Sequence, residues 1–220
     1  MTPSSEQLIE ATKRFVKETL SGAEGGHDWF HTQRVYRLAH RLAKEEKADE
    51  VVVQLAALLH DIADAKFHNG DESLGPKIAA GFLAEKQVDE VIITHVCDII
   101  RYMSFKNSLD GKSPLDSKEL HVVQDADRLD AIGAIGIART FNYGGFKNRA
   151  MYDPDVLPNL NMSKAEYKKS NAPTINHFYE KLLLLKDQMH TATAKKIAAK
   201  RHDYMLSFLD QFYAEWDSED

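Results

Sequence analysis

Cysteine is almost absent from this chain, with Cys97 the single one in 220 residues. No intrachain disulfide can form, which removes the disulfide-stapled extracellular scaffolds and fits a reducing cytoplasm. Long apolar runs are lacking too. VVVQLAALL and LLLL are too short to span a bilayer, and the N-terminal MTPSSEQLIEATKRF has no basic stretch followed by an apolar one. A cytoplasmic protein with no membrane partner is expected. Positive charge is in deficit: 28 Lys and Arg stand against 34 Asp and Glu, a net charge of -6. A general nucleic-acid groove needs clustered cations, so no nucleic-acid partner is expected, although a small anion could still be held by locally concentrated charge. Nor does any segment alternate apolar and polar residues at length between hairpin signals, so strands are not expected.

What is present is helical spacing nearly everywhere, and the fold class predicted is all-α, in one domain over 1–220. SSEQLIEATKRFVKETL opens with Ser4 and Gln7 at capping-box spacing and stops before Gly22. HDWFHTQRVYRLAHRLAKEEK carries the stripe His31, Val35, Leu38 and Leu42, and ADEVVVQLAALLHDIAD the stripe Val52, Leu55, Leu59 and Ile62. GPKIAAGFLAEK and VDEVIITHVCDIIRYM follow as two more helices. SPLDSKELHVVQDADRLDAIGAIGIART reads as one central buried helix opened by Asp116 and Glu119, with Gly133 and Gly136 admitting a neighbouring helix. From Asn142 to Asn171 the pattern dissolves into a long polar loop, suited to a lid or binding loop. Two C-terminal helices, TINHFYEKLLLLKDQM and TATAKKIAAKRHDYMLSFLDQFYAEW, close the chain. Phe212, Tyr213 and Trp216 on the last are read as exposed aromatics suited to a homodimer.

Four groups on apolar helix faces draw attention: His31, the adjacent His60 and Asp61 at the end of an apolar helix, and an aspartate of VVQDADRLD. Burying a lone carboxylate is costly unless it is neutralised or meets a cation, and one metal ion would satisfy all four together. Two imidazoles with two carboxylates suit a divalent ion of six-fold coordination such as manganese, iron, cobalt or nickel, with four-coordinate zinc also compatible. Spacing leaves Asp125 and Asp127 both open as the last ligand, while Asp130 is free to pair with a neighbouring cation.

The order His, His-Asp dyad, distant Asp, each on its own helix, resembles the HD-domain metal-dependent phosphohydrolases. HDWFHTQRV, LAALLHDIAD and VVQDADRLDAIGAIGIARTF look like one bacterial subgroup of predicted phosphohydrolases, over a motif core of about 27–140, and AMYDPD and INHFYEKL extend the likeness into 141–220. The resemblance implies an all-α HD-domain bundle and a divalent metal, Mn²⁺ foremost and Mg²⁺, Co²⁺, Ni²⁺, Fe²⁺ or Zn²⁺ as alternatives. Its ligands would be His31, His60, Asp61 and Asp127, the last chosen because the family's aspartate stands before a Lys or Arg, as Asp127 stands before Arg128.

The implied activity is cleavage of a phosphate ester or anhydride in a nucleotide by metal-activated water. A nucleoside or deoxynucleoside triphosphate cleaved to monophosphate and pyrophosphate is preferred. Phosphate release from a monophosphate, a binding module without turnover and a diiron oxygenase are the alternatives. Helical offsets place Arg34 one turn after His31 and Asp64 one turn after the dyad. Asp64 would ready the water, and Arg34, Lys66 and Arg128 would take charge developing on phosphoryl oxygens. His95 is expected to face the substrate or to support a ligand. Lys147, Arg149, His177 and Lys181 would add phosphate-binding charge, with His177 and Lys181 sharing one helix face.

Overall fold

In this computed structural model the described residues are 4–22, 28–63, 71, 73–103, 114–162, 166 and 170–219, and the elements bounded among them are nine α-helices and one 3-10 segment, with no strand. Contacts group the chain into two compact units, Met1–Ala126 and Asp127–Asp220.

The first unit contains α1 (Ser5–Thr19), α2 (Trp29–Glu46), α3 (Glu50–Leu59), α4 (Leu74–Glu85), α5 (Glu90–Tyr102) and most of α6 (Lys118–Asp130). The capping box at Ser4 and Gln7 is formed, each side chain bonding the other's backbone N–H. Helix α3 is packed against α1, α2 and α5. Its residues Val52, Val53, Leu55, Ala56, Ala57, Leu58 and Leu59 are all buried, so it is apolar nearly all round, as a central helix must be. Each fully buried leucine contributes about 1.5–3 kcal/mol. Asp49 caps α3 by accepting from the Val51 and Val52 amides, which fixes where the helix starts and hence which residue follows its last turn.

The predicted single helix across 116–140 is in fact two. Helix α6 follows Ser117, whose hydroxyl accepts from the Leu120 amide, and ends at Asp130. The chain is extended at Ile132, turns at Gly133 with φ +77°, and restarts as α7 (Gly133–Phe146). A side chain at 133 would sit in the left-handed region and 2.9 Å from Arg201 Cγ of the last helix, so only glycine lets the two elements meet. Arg201 in return donates to the Leu129 carbonyl, one of the acceptors that the end of α6 leaves open. Gly136 is confined differently: its added Cβ would strike Ala131 of its own preceding turn, not a neighbouring helix.

The rest of the second unit holds α8 (Asn176–Glu180), a 3-10 helix (Leu182–Gln188) and α9 (Ala192–Asp217). TINHFYEKLLLLKDQM was expected as one helix, but the backbone breaks at Lys181. The following turns bury Leu182 and Leu185, a spacing of three that matches three residues per turn. Helix α9 packs on α7 and on the 3-10 segment. Beside the buried aliphatic residues of this unit runs a cluster of rings: Phe178, which is fully buried, and Phe141, Phe208, Phe212, Trp216, Tyr152 and Tyr213 form successive contacts with centroids 4.9–6.2 Å apart. Phe212 and Tyr213 are therefore half-buried instead of exposed, and of the three predicted surface aromatics only Trp216, 48 % exposed, remains one. The expected loop from 142 begins later, because α7 continues to Phe146.

Candidate metal centre

Three side chains converge at the ends of α2 and α3. His31 lies in the first turn of α2, 1 % exposed, and its backbone N–H donates to the Asp28 carboxylate at 2.8 Å, so the helix cap holds the residue that carries the imidazole. His60 directly follows the last residue of α3, and its Nδ1 lies 2.9 Å from the Ala57 carbonyl. A carbonyl can only accept, so Nδ1 carries a proton, and in the neutral imidazole Nε2 is left with its lone pair for a ligand. The two imidazoles meet edge to face, with centroids 5.4 Å apart at 71°. Asp61, 16 % exposed at its side chain, places Oδ2 3.4 Å from Nε2 of both His31 and His60.

This arrangement fits a metal on its chemistry. With His60 neutral, its Nε2 lone pair and the Asp61 oxygen 3.4 Å away repel each other, and a metal cation shared between them turns that repulsion into ligation. Ligand atoms about 2.1 Å from one ion, at angles between octahedral and tetrahedral, stand roughly 3.0–3.4 Å apart. Asp127 completes the group. It follows Ala126 in the unbroken turns of α6, and one donor atom each from His31, His60 and Asp127 all lie within 4.8 Å of one another. Asp125, on the same helix, is fully buried, and Asp130 pairs with Arg139 at 2.7 Å as its sequence position allowed.

The other sequence candidates are distributed as follows. Arg34 is half-buried on α2, one turn beyond His31. Asp64 and Lys66 lie outside the described residues. His95, on α5, meets the Ser117 hydroxyl at 3.0 Å, which ties α5 to the start of α6. The guanidinium of Arg128, 7 % exposed, donates to the Gln188 carbonyl at 2.6 Å and lies 2.9 Å from His190 Nε2, bracing the residue next to Asp127. Lys147 is exposed, with Nζ over the rings of Tyr143 and Phe146. His177 and Lys181 are one turn apart, and burial, with Lys181 and Arg149 nearby, lowers the His177 pKa to about 3. Two supports escaped the sequence reading. Asp28 was visible as an acidic residue three before His31, and the Ala57 carbonyl stands at a helical offset of three from His60.

Comparison with known proteins gives the family. The HD domain family matches residues 29–132, a span that includes His31, His60, Asp61 and Asp127. The uncharacterized protein YpgQ of Bacillus subtilis is 37 % identical over 207 residues, 92 % of this chain and 90 % of YpgQ. The chain belongs to the HD-domain superfamily. Its resemblance to solved structures extends beyond the matched domain. An HD-superfamily hydrolase from Bacillus thuringiensis is 44 % identical, with 97 % of this chain and 99 % of that one covered at a TM-score of 0.77. A protein from Lactobacillus plantarum is 41 % identical, with 99 % and 100 % covered at 0.84. YpgQ has been solved in complex with ADP, and that structure is 34 % identical, with 98 % and 97 % covered at 0.77. This HD-domain chain is a metal-dependent hydrolase, and no helix among its described residues is long and apolar enough to cross a membrane.

Proposed function

We propose that this protein is a nucleotide phosphohydrolase that cleaves a nucleoside or deoxynucleoside triphosphate to the monophosphate and pyrophosphate, acting as one HD-type domain over its full length. The observation that carries the reading is the convergence of His31 Nε2 and His60 Nε2 on the Asp61 carboxylate, with the Asp127 carboxylate beside the two imidazoles. His31, His60, Asp61 and Asp127 would hold the ion, with Mn²⁺ preferred for a mixed imidazole and carboxylate set. A divalent ion bound there supplies a water deprotonated near neutral pH and positive charge for phosphoryl oxygens. ADP in the structure of the similar protein YpgQ supports a nucleotide as the substrate class.

The chain's own groups do the remaining work. The Ala57 carbonyl holds the proton on His60 Nδ1, keeping Nε2 as the donor, and Asp28 fixes the start of the helix bearing His31. Asp64, assigned from its sequence position three residues after Asp61, orients the attacking water and accepts its proton. Arg34, Lys66 and Arg128 are assigned to phosphoryl charge and His95 to the substrate side. Lys147, His177 and Lys181 are assigned to the phosphate chain. A cytoplasmic setting and a homodimer complete the proposal.

A panel of nucleoside mono-, di- and triphosphates assayed with several divalent metals tests it. We expect pyrophosphate release from a triphosphate in Mn²⁺, abolished by chelation and lowered at least about 10³-fold in His60→Ala and Asp61→Ala. Phosphate released from monophosphates instead would move the activity to the phosphatase alternative. Wild-type turnover in both variants would sink the mechanism.

A further inference from the structure

We propose that Arg149, His177 and Lys181 form a phosphate-binding subsite contained within the second unit, taking phosphoryl oxygens of a di- or triphosphate chain. The subsite deepens the nucleotide reading and rests on it for the identity of the anion. Backbone pairing builds it. The Thr174 amide donates to the Ala150 carbonyl at 2.9 Å and the Ile175 amide to the Met151 carbonyl at 3.0 Å, so Arg149 stands beside the strand of chain that leads into His177. The Lys181 amide donates to the His177 carbonyl, which brings Lys181 one turn beyond the imidazole. Gly144 presses against Thr174, where an added Cβ would lie 2.2 Å from Oγ1, and the Gly144 carbonyl accepts from the Arg149 amide.

The arginine itself is held in place. Its Nη2 donates to the Ser170 carbonyl at 2.6 Å, and its guanidinium lies 5.7 Å from the centre of the Tyr143 ring. Its Nε is buried and has no acceptor among the described residues. A fixed guanidinium with a donor to spare, next to a lysine and an imidazole, matches the fork of oxygens that a phosphoryl group offers. Burial depresses the basicity of His177 most, and Lys181 and Arg149 add to it, which places each cation within electrostatic reach of the imidazole.

Calorimetric titration of the full-length, metal-stripped protein with inorganic pyrophosphate tests the subsite. We expect Arg149→Gln and Lys181→Gln each to weaken binding about tenfold or more. The exposed Lys196→Gln of the same unit should change it less than twofold. Should Arg149→Gln fail to fold by circular dichroism, Lys181→Gln and His177→Gln carry the measurement. A second titration with a non-hydrolysable nucleoside triphosphate separates the sources. Losses for both ligands assign the subsite to the nucleotide, and a loss for pyrophosphate alone assigns it to the free anion. No metal or turnover enters these titrations, so binding that depends on Arg149 in a protein without hydrolytic activity would defeat the proposed function and leave the subsite standing. Wild-type affinity in the variants, or an equal loss in Lys196→Gln, would overturn the subsite.

Discussion

Leu55, Leu58 and Leu59 fill the centre of the first unit, and Phe141, Phe178, Phe208 and Phe212 run through the second. The contrast follows from the backbones. In the first unit regular helices approach closely, and compact aliphatic side chains suffice to close the space between them. In the second, the described backbone between Lys147 and Ile175 is mostly outside helices, and a chain of large rings, fully buried at Phe178 and half-buried at Phe141, Phe208 and Phe212, supplements the aliphatic residues Ile132, Ile175, Leu182 and Leu185. Exposure follows the same line. Phe30 and Val91 are the large apolar residues left exposed among those described in the first unit, whereas the second exposes Phe146, Met151, Leu157, Leu160 and Trp216 among others. A tightly packed aliphatic frame is suited to fixing donor atoms to fractions of an ångström, and a ring-lined, irregular one to meeting ligands and partners.

The largest test of this contrast is truncation of each core. Phe178→Ala should cost about 3–5 kcal/mol and Leu59→Ala about 2–5 kcal/mol. The chain has two tryptophans, Trp29 in the first unit and Trp216 in the second, so single-tryptophan proteins read each unit during urea unfolding. Phe178→Ala is expected to lower the Trp216 midpoint most, and Leu59→Ala the Trp29 midpoint. Equal shifts at both reporters would show one cooperative core and end the distinction.

A smaller effect probes the frame around the donors. Asp28→Ala removes the cap of α2 and should cost about 1 kcal/mol, read as a fall in the thermal midpoint. It should also weaken Mn²⁺ binding about 10–100-fold, because His31 loses its fixed start. Unchanged affinity would mean that packing alone holds the imidazole.

The smallest test concerns the second unit and pH. The His177 pKa is lowered from 6.5 to about 3 in the folded chain, chiefly by burial and then by Lys181 and Arg149. The unfolded chain therefore binds the extra proton first as pH falls. The stability tied to this group is whole above pH 6.5 and is lost progressively from there towards 3. Between pH 6.5 and 5.5 the loss should stay under about 1 kcal/mol, and His177→Gln should flatten it in denaturation curves taken across that interval. A slope unchanged in the variant would assign the effect elsewhere.

Much of this organisation could be read from the chain. The all-helical class and the cap at Ser4 depend on local spacing, which a linear pattern records, while the order of His31, His60, Asp61 and a distant aspartate was legible through its resemblance to the HD-domain proteins. The break after Asp130 was missed because it depends on Arg201, some seventy residues on, which caps the end of α6 and forces glycine at 133. The 3-10 turn at Leu182–Gln188 was missed for a similar reason. Four adjacent leucines satisfy either helical period, and only their tertiary partners select three per turn. The bond from Arg128 to the Gln188 carbonyl was likewise invisible, since a main-chain acceptor leaves no mark in the sequence.

The two amide bonds that join Ala150 to Thr174 and Met151 to Ile175 also bear on how this protein can be altered. They hold the backbone beside Arg149 and ahead of His177 without calling on the exposed side chains of Leu157, Leu160 and Asn161. Substitutions at such surface positions usually change stability by no more than about 0.5 kcal/mol. Exchanges at these three residues are therefore the changes this region should tolerate best. New side chains placed there would inherit a ready-made position without disturbing the groups at its base.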